Sequence, residues 1–523
     1  TYRDQTQADP DILTQWVTLT ATAAELWRAD YTYVEENHVR RVEKRTTALG
    51  EENVRLEVKE SWLGTAPNVY ARGRLKMKQG MDGIQTHYFY EETDQYGALY
   101  KVTAETRIAG ESVPGLSSRK VTYVSGQGNN MRYEQYVQLA DGVWSMTDAS
   151  SYEYDVENRW VKRTRANGRV YERMMTCCGP LWEKDENGVT TSYSYNTARQ
   201  LTETIRSAIA DGETMITPET ITSYTRDALG KITSLRRDTG PMTTVESREY
   251  DLLGRLVKET DILGRTTVRS YSGDGLVETV TTPAGATLIT RKSPSGTVVR
   301  RYGTGQQDIL YTVEATAEGI RTTEAVPGGE GGEPRVVTGS STVNGFGDLV
   351  RIAATNTLNG ENVRTLAYDD KGRLIREQLA DMAPTLYAYD AFGNRTRAIV
   401  ALEDEPTILN SRITDYAYVA ESREDGIYRL VSITSYTSSG TPVLQKQAAL
   451  LSALSSVLAG KTVMTDPRGH DTVEWTEYGG GSVRLQKKTV PGVGSVSLTR
   501  VVDGFTTAVT GFDGATARRQ RTY

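Results

Sequence analysis

Cysteine is almost missing from this chain. Cys177 and Cys178 are the only two among 523 residues, and they are neighbours in Met174-Met175-Thr176-Cys177-Cys178-Gly179-Pro180. A disulfide framework is therefore excluded as the source of stability, and no His or second Cys pair stands at zinc-ligand spacing. Two readings of the pair stay open: small buried hydrophobes ahead of a Gly-Pro turn, which is preferred, or a redox or interchain contact. Histidine is nearly as scarce. His38, His87 and His470 are each isolated in strand-like or turn-like surroundings, as structural or exposed histidines are. No apolar run approaches the ~18 residues of a membrane span. There is no G-x-S-x-G elbow, and Gly303-Thr304-Gly305 lacks the Lys-Ser/Thr and helix that would cradle phosphate, so it reads as a turn. Basic and acidic residues, 61 and 67, are interspersed with a net charge of -6, which gives no footprint for nucleic acid. Adjacent carboxylates such as Glu91-Glu92 and Asp369-Asp370 are what chance provides in a chain that is 24% charged.

Apolar residues are also sparse for a chain of this length: 37%, with a mean hydropathy of -0.49. Several packed domains would need more, yet little of the sequence looks disordered. A sheet wetted on both faces reconciles the two facts. The aromatic choice fits, since 30 Tyr stand against 5 Phe: Tyr offers a broad ring for cross-strand packing and a hydroxyl for water or a partner. The plainer alternative is that Tyr is simply a good strand former on an ordinary sandwich.

What the chain has in abundance is repetition. Tyr250-Asp251-Leu252-Leu253-Gly254-Arg255-Leu256 returns as Tyr368-Asp369-Asp370-Lys371-Gly372-Arg373-Leu374, and as Tyr389-Asp390-Ala391-Phe392-Gly393-Asn394-Arg395. Variants open on Thr: Thr260-Asp261-Ile262-Leu263-Gly264-Arg265 and Thr465-Asp466-Pro467-Arg468-Gly469-His470. Looser copies sit at Tyr154-Asp155, Tyr195-Asn196, Tyr224 with Asp227 and Gly230, Tyr418, and Phe512-Asp513-Gly514. Runs of Thr, Val, Ile and Tyr around these Gly/Asp gaps predict two short strands and a turn per unit, the glycine supplying positive φ. One unit of about 21 residues loses roughly 30 kcal/mol of conformational entropy on ordering, more than a lone hairpin recovers. Neighbouring units must supply the difference, so the fold is a stack of repeats.

This pattern resembles the YD repeat of the RHS family, which includes toxin-complex shell subunits and teneurins. The resemblance runs from about residue 150 to the end. It implies an all-β fold with few or no helices, in which the repeats wind as a β-sheet spiral forming part of a large hollow shell. The residues carrying it are structural: Tyr250, Asp251, Gly254, Arg255, Tyr368, Asp369, Gly372, Arg373, Tyr389, Asp390 and Gly393. The family's aspartyl self-cleavage signature is not carried over. Asp466-Pro467-Arg468-Gly469 matches its first positions, but His470-Asp471-Thr472-Val473 does not continue it, and a repeat turn is the simpler reading.

Residues 1–150 are expected to form a strand-rich region continuous with the shell, and 151–523 the repeat region. An exposed loop is expected at 327–334 and a short helix at 445–458, where Leu450, Leu451, Leu454 and Leu458 fall near helical spacing; an extended pair around a turn is the alternative. Asn394-Arg395-Thr396 fits a glycosylation sequon in form only. Thr1 is not an initiator methionine and Tyr523 stops where another repeat would begin, so a section of a longer polypeptide is expected. The functional expectation is a structural shell section of a secreted or cell-surface bacterial protein, enclosing cargo such as a toxin domain, with no catalytic residue, metal or cofactor. Its partners are then the rest of the polypeptide and the cargo, without nucleic acid or a membrane span. The alternative is adhesion to carbohydrate or a cell-surface partner, or copies joining into a fibre, with Trp62, Trp144, Trp160 and Trp475 as contacts. Rings covered by the wall favour the first reading, and an outward cluster the second. An enzyme ranks third, and would need a cleft that gathers two carboxylates with no packing explanation.

Overall fold

A computed structural model describes residues 14–18, 25–49, 51–211, 214–327, 336–356, 360–437, except 403–410, and 439–453, 458–478, 483–490, 495–502, 505–513 and 516–522. Within these the chain is all-β. The one assigned 3₁₀ segment, Gln95–Gly97, contains a Tyr96 with φ 56 and is in effect a turn. Forty strands join one sheet, every pairing is antiparallel, and each strand pairs with the next in sequence. The single exception is local: Leu201–Arg206 pairs directly with Thr220–Arg226, while Ile209–Asp211 and Thr214–Thr217 form a separate two-stranded hairpin.

An up-and-down sheet of this kind places its turns alternately on two rims. The upper rim carries turns 155–159, 176–179, 227–231, 251–255, 344–348 and 369–373; the lower rim carries 49–54, 80–84, 139–143 and 261–265. The sheet is one layer thick over most of its length. It exposes 30348 Å², whereas a compact globule of 57.8 kDa exposes roughly 19,000 Å². Its apolar clusters are correspondingly small, such as Tyr428 with Ala448 and Val463, or Ala98 with Val121 and Tyr123.

Three sequence expectations need correction. Residues 445–453 belong to the strand Pro442–Ala453, paired with Gly426–Tyr436 on one side and Leu458–Thr465 on the other. Ala and Leu there favour helix only weakly, and strand pairing that buries Ala448 against Tyr428 and Val463 overrides them. Residues 454–457 lie outside the described residues, as do residues 328–334 of the loop expected at 327–334. Tyr418 is no repeat tyrosine: it sits inside the long strand Ser411–Arg423, far from a turn. Finally, Cys177 is exposed and Cys178 half-buried, because they occupy the tip of a hairpin turn and not its base.

Candidate functional site

The repeat turn is the smallest unit of the architecture. Asp251 Oδ1 accepts from the amides of Leu253 and Arg255 at 3.0 and 2.8 Å, and Oδ2 accepts from Arg255 Nε at 2.7 Å. Gly254 closes the loop at φ 77, with its amide donating to the Asp251 carbonyl at 2.8 Å. Asp369 repeats the arrangement with Lys371, Arg373 and Gly372, and Asp390 does so with Phe392 and Asn394. In the third copy Asn394 Nδ2 donates to Asp390 Oδ2 in place of the arginine. Asp466-Pro467-Arg468-Gly469 is the same turn, with His470 in the arginine position and Nδ1 at 3.3 Å from Asp466 Oδ2. These bonds hold the Asp251, Asp369 and Asp466 carboxylates below their usual range. For Asp251 the Arg255 amide is the main cause, and for Asp369 burial opposes the shift but the bonds from Arg373 outweigh it.

The tyrosine links one repeat to the one before. Tyr250 Oη donates to the carbonyl of Ile232 at 3.1 Å, Tyr271 to Leu256 at 3.0 Å, Tyr368 to Leu349 at 2.9 Å and Tyr389 to Leu374 at 2.7 Å. The accepting carbonyl lies just beyond the preceding turn. The register slips at two of these tyrosines, between Glu249 and Tyr250 and between Ala367 and Tyr368, whereas Tyr271 makes its bond without a slip. Arginine completes the link: the Arg255 guanidinium, already paired with Asp251, lies 4.3 Å over the Tyr271 ring, and Arg373 lies 5.1 Å over Tyr389. Sequence reasoning assigned Tyr to cross-strand stacking and missed this bond to a backbone carbonyl. The 15-residue spacing from Leu256 to Tyr271 and from Leu374 to Tyr389, each after a Gly-Arg pair, was the available signal.

A second contact closes the sheet on itself. Upper-rim turn 344–348 sits on lower-rim turn 49–54, with the Gly345 amide donating to the Leu49 carbonyl at 2.8 Å and Asn344 Nδ2 donating to Glu51 Oε1 at 2.5 Å. Arg55 pairs with Asp348, 293 residues away, and its guanidinium lies 3.9 Å over the Phe346 ring. Further along, Asn53 Nδ2 reaches the Tyr368 carbonyl at 3.5 Å, and the Ala140 amide reaches the Ala420 carbonyl at 3.3 Å. Two buried polar residues meet here: Arg55 is 8% exposed and Asn344 1%. The sheet is thus a spiral whose later winding rests, upper rim to lower rim, on the earlier one. Among the described residues sequence analysis singled out none of these contacts, because no periodicity encodes a meeting 293 residues apart.

The four named tryptophans are half-buried. A cation lies over each named ring: Lys76 5.4 Å from Trp62, Arg119 4.0 Å from Trp144, Arg173 3.5 Å from Trp160 and Lys487 5.9 Å from Trp475. Trp160 also packs between Tyr152 and Tyr171. A groove of about 580 Å³ beside Trp475 gathers Asp425, Asp471 and Glu477. Each has a packing partner. Asp425 accepts from Lys461 Nζ at 2.6 Å and Tyr428 Oη at 2.9 Å, Glu477 from Lys487 and Trp475, and Asp471 from Thr465. The buried Glu134 is likewise held by Tyr136, Tyr123 and Arg132. Burial, then the Glu134 charge, pushes the Tyr123 hydroxyl up to about 12. Each of these carboxylates thus has a packing explanation. His38 contacts Thr65 Oγ1 at 3.0 Å and His87 contacts Gln85 Oε1 at 2.9 Å; burial lowers the His87 pKa.

Residues 250–287, which begin at the clearest copy of the motif, match the RHS Repeat family. The likeness to RHS-repeat proteins read from the turn motif therefore holds, and the segment Tyr250–Thr287 is an RHS repeat. No curated protein matches the chain. Among solved structures, the crystal structure of TcdB2-TccC3-Cdc42 is 11% identical with a TM-score of 0.33, covering 91% of this chain and 35% of that one. TcdB2-TccC3 gives 10%, 0.33, 94% and 36% in the same order. The Tc holotoxin pore of Photorhabdus luminescens gives 11%, 0.24, 94% and 34%. This chain spans about a third of the length of those chains.

Proposed function

We propose that this chain is a wall section of a hollow RHS-type shell belonging to a secreted or cell-surface protein, and that the shell encloses cargo such as a toxin domain. The observation that carries this reading is the seam. A one-layer sheet whose upper rim docks on its own lower rim after one revolution surrounds space that no core fills. From the strand Val39–Ala48 to the strand Val336–Val343 the sheet takes 23 steps. At about 4.8 Å per step and with ordinary strand tilt, the winding is roughly 35–45 Å across. Subtracting the wall leaves on the order of 25–35 Å, close to or below the ~34 Å diameter of a folded 100-residue domain. Cargo within this winding is then extended or small.

The wall continues in the same way. Val156, Leu229, Leu252 and Leu253 stand at upper-rim turn tips, Leu252 102% exposed, on the rim that is docked at 344–348. In the proposed shell these apolar tips meet a further winding of the longer polypeptide. The adhesion reading lacks a comparable observation, since the tryptophans it needs lie beneath cations. Electron microscopy of the full-length polypeptide tests the proposal: a closed wall around internal density is expected, and a compact solid particle or an open fibre overturns it.

A further inference from the structure

The upper-rim turn 176–179 departs from its neighbours. Turns 155–159, 227–231 and 251–255 each open with an aspartate whose carboxylate binds two amides, and span five residues. At 176–179 the loop shortens to two residues, Cys177 and Cys178. It is closed by the Thr176 amide donating to the Gly179 carbonyl at 2.7 Å, with Thr176 Oγ1 donating to the same carbonyl at 2.8 Å. The Cys178 amide donates to Thr176 Oγ1 at 3.2 Å. Gly179 takes φ 152, and an added Cβ there would strike the Tyr195 hydroxyl. The two thiols are thereby held side by side, Sγ to Sγ 3.0 Å, with Cys177 exposed.

We infer that Cys177 and Cys178 form a redox-responsive vicinal dithiol that closes reversibly to an intrachain disulfide by exchange with small-molecule disulfides. In the first step the Cys177 thiolate attacks one sulfur of the small disulfide, forming a mixed disulfide and expelling one thiolate. In the second the Cys178 thiolate attacks Cys177 Sγ and expels the other. The protein's two thiol protons end on the two released thiols, the protein loses two electrons, and the small disulfide gains them. The order follows from the geometry: Cys177 is the exposed sulfur. Cys178, half-buried beside it and with its thiol pushed up chiefly by the bond to Cys177, acts second. Adjacent residues hold their Cα atoms 3.8 Å apart, closer than the usual span of a disulfide, so the ring is strained. Strain of this kind makes the bond easily reduced, as regulatory disulfides are.

The test uses the full chain, in which no other cysteine competes. Folded protein is treated with oxidised glutathione, and its thiols and intact mass are followed in time. The expected result is simultaneous loss of both thiols, a mass lower by two hydrogen atoms, no change in chain association, and full recovery with dithiothreitol. Pre-treatment with phenylarsine oxide, which bridges paired thiols, should block it. Ring closure should be at least about tenfold faster in the folded chain than in urea, because the turn aligns the sulfurs. Cys177→Ser and Cys178→Ser should each stop at a stable glutathione adduct. A persistent adduct on the unmodified chain, disulfide-linked dimers, two unreacted thiols, or equal rates folded and unfolded would each overturn the inference.

Discussion

Asn344→Asp is the sharpest probe of the winding contact. Asn344 occupies the place that aspartate holds in the repeat turns, and its Oδ1 does the same work, accepting from Phe346 and Asp348 amides at 3.0 and 2.9 Å. Its Nδ2 does what a carboxylate cannot, donating to Glu51 at 2.5 Å and to Asp348 at 3.2 Å. The substitution therefore preserves the turn and reverses the seam, placing a third carboxyl beside two others at a site that is 1% exposed. Two bonds to charged acceptors are lost, each worth about 1.5–3 kcal/mol, and the new carboxyl can relieve part of the repulsion by taking a proton. A net loss of about 3 kcal/mol is expected, or roughly 100-fold in the opening equilibrium of the seam. Amide hydrogen exchange reads this directly. The Gly345 amide, bonded to the Leu49 carbonyl, should exchange about 100-fold faster, while the Gly254 amide, inside an ordinary repeat turn, stays unchanged. Acid should restore part of the protection at Gly345, since a protonated carboxyl donates again; Asn344→Ala should show no such recovery. Equal exchange at Gly345 in the two proteins, with the fold intact, would refute the seam as the element that joins the windings.

Three further outcomes follow from the repeat itself. Tyr389→Phe removes the donor to the Leu374 carbonyl but leaves the ring under Arg373, so amides of Leu374–Leu379 should exchange roughly fivefold faster, about 1 kcal/mol, with no change in circular dichroism. Gly254→Val forces a β-branched residue to φ 77 beside the Lys231 side chain and should cost about 1–3 kcal/mol, seen as faster proteolysis at Leu252-Leu253; Gly254→Ala should cost less. The depressed pKa values of Asp251, Asp261, Asp369 and Asp466 give acid sensitivity with a definite sign. A carboxyl that is more acidic in the folded wall contributes fully above its unfolded value of about 3.9, and loses that contribution as pH falls toward the folded value. Urea midpoints should therefore be flat from pH 7 to about 5 and decline below about 4; a midpoint unchanged at pH 3 would contradict the carboxylate role.

The repeat was legible in the sequence because its signals are local. Asp251 and Gly254 sit three residues apart within one turn, and both the acceptor and the positive φ follow from residue type alone. Tyr250 was visible as a member of the pattern, but its bond to Ile232 depends on how its strand pairs with Ile232–Thr239, which no composition announces. The strand at 445–453 was misread for a similar reason: the Ala and Leu residues fit a helix by spacing, and only the flanking strands Gly426–Tyr436 and Leu458–Thr465 decide against it. Asn344-Gly345-Phe346-Gly347-Asp348 carried a faint signal, an amide where the repeats place an acid. Its meaning came only with Glu51 opposite.

Links between successive repeats and links between windings have different physical consequences. If only the Tyr and Arg links existed, stability would be a sum over nearest neighbours, and the wall would fray from any weakened hairpin. The seam changes this by tying residues 49–55 to 344–348, so opening one contact there requires moving a whole winding relative to its neighbour. The buried charge of Arg55 suits that task, because a buried pair that loses its partner is costly and so penalises partial opening more than it stabilises the closed state. Rows of exposed turns elsewhere, with surface ion pairs worth little individually, leave the wall soft between seams. A wall built this way resists being opened at the joint while its sheet bends along the perimeter, the mechanical division of labour that the proposed enclosure of a cargo would need.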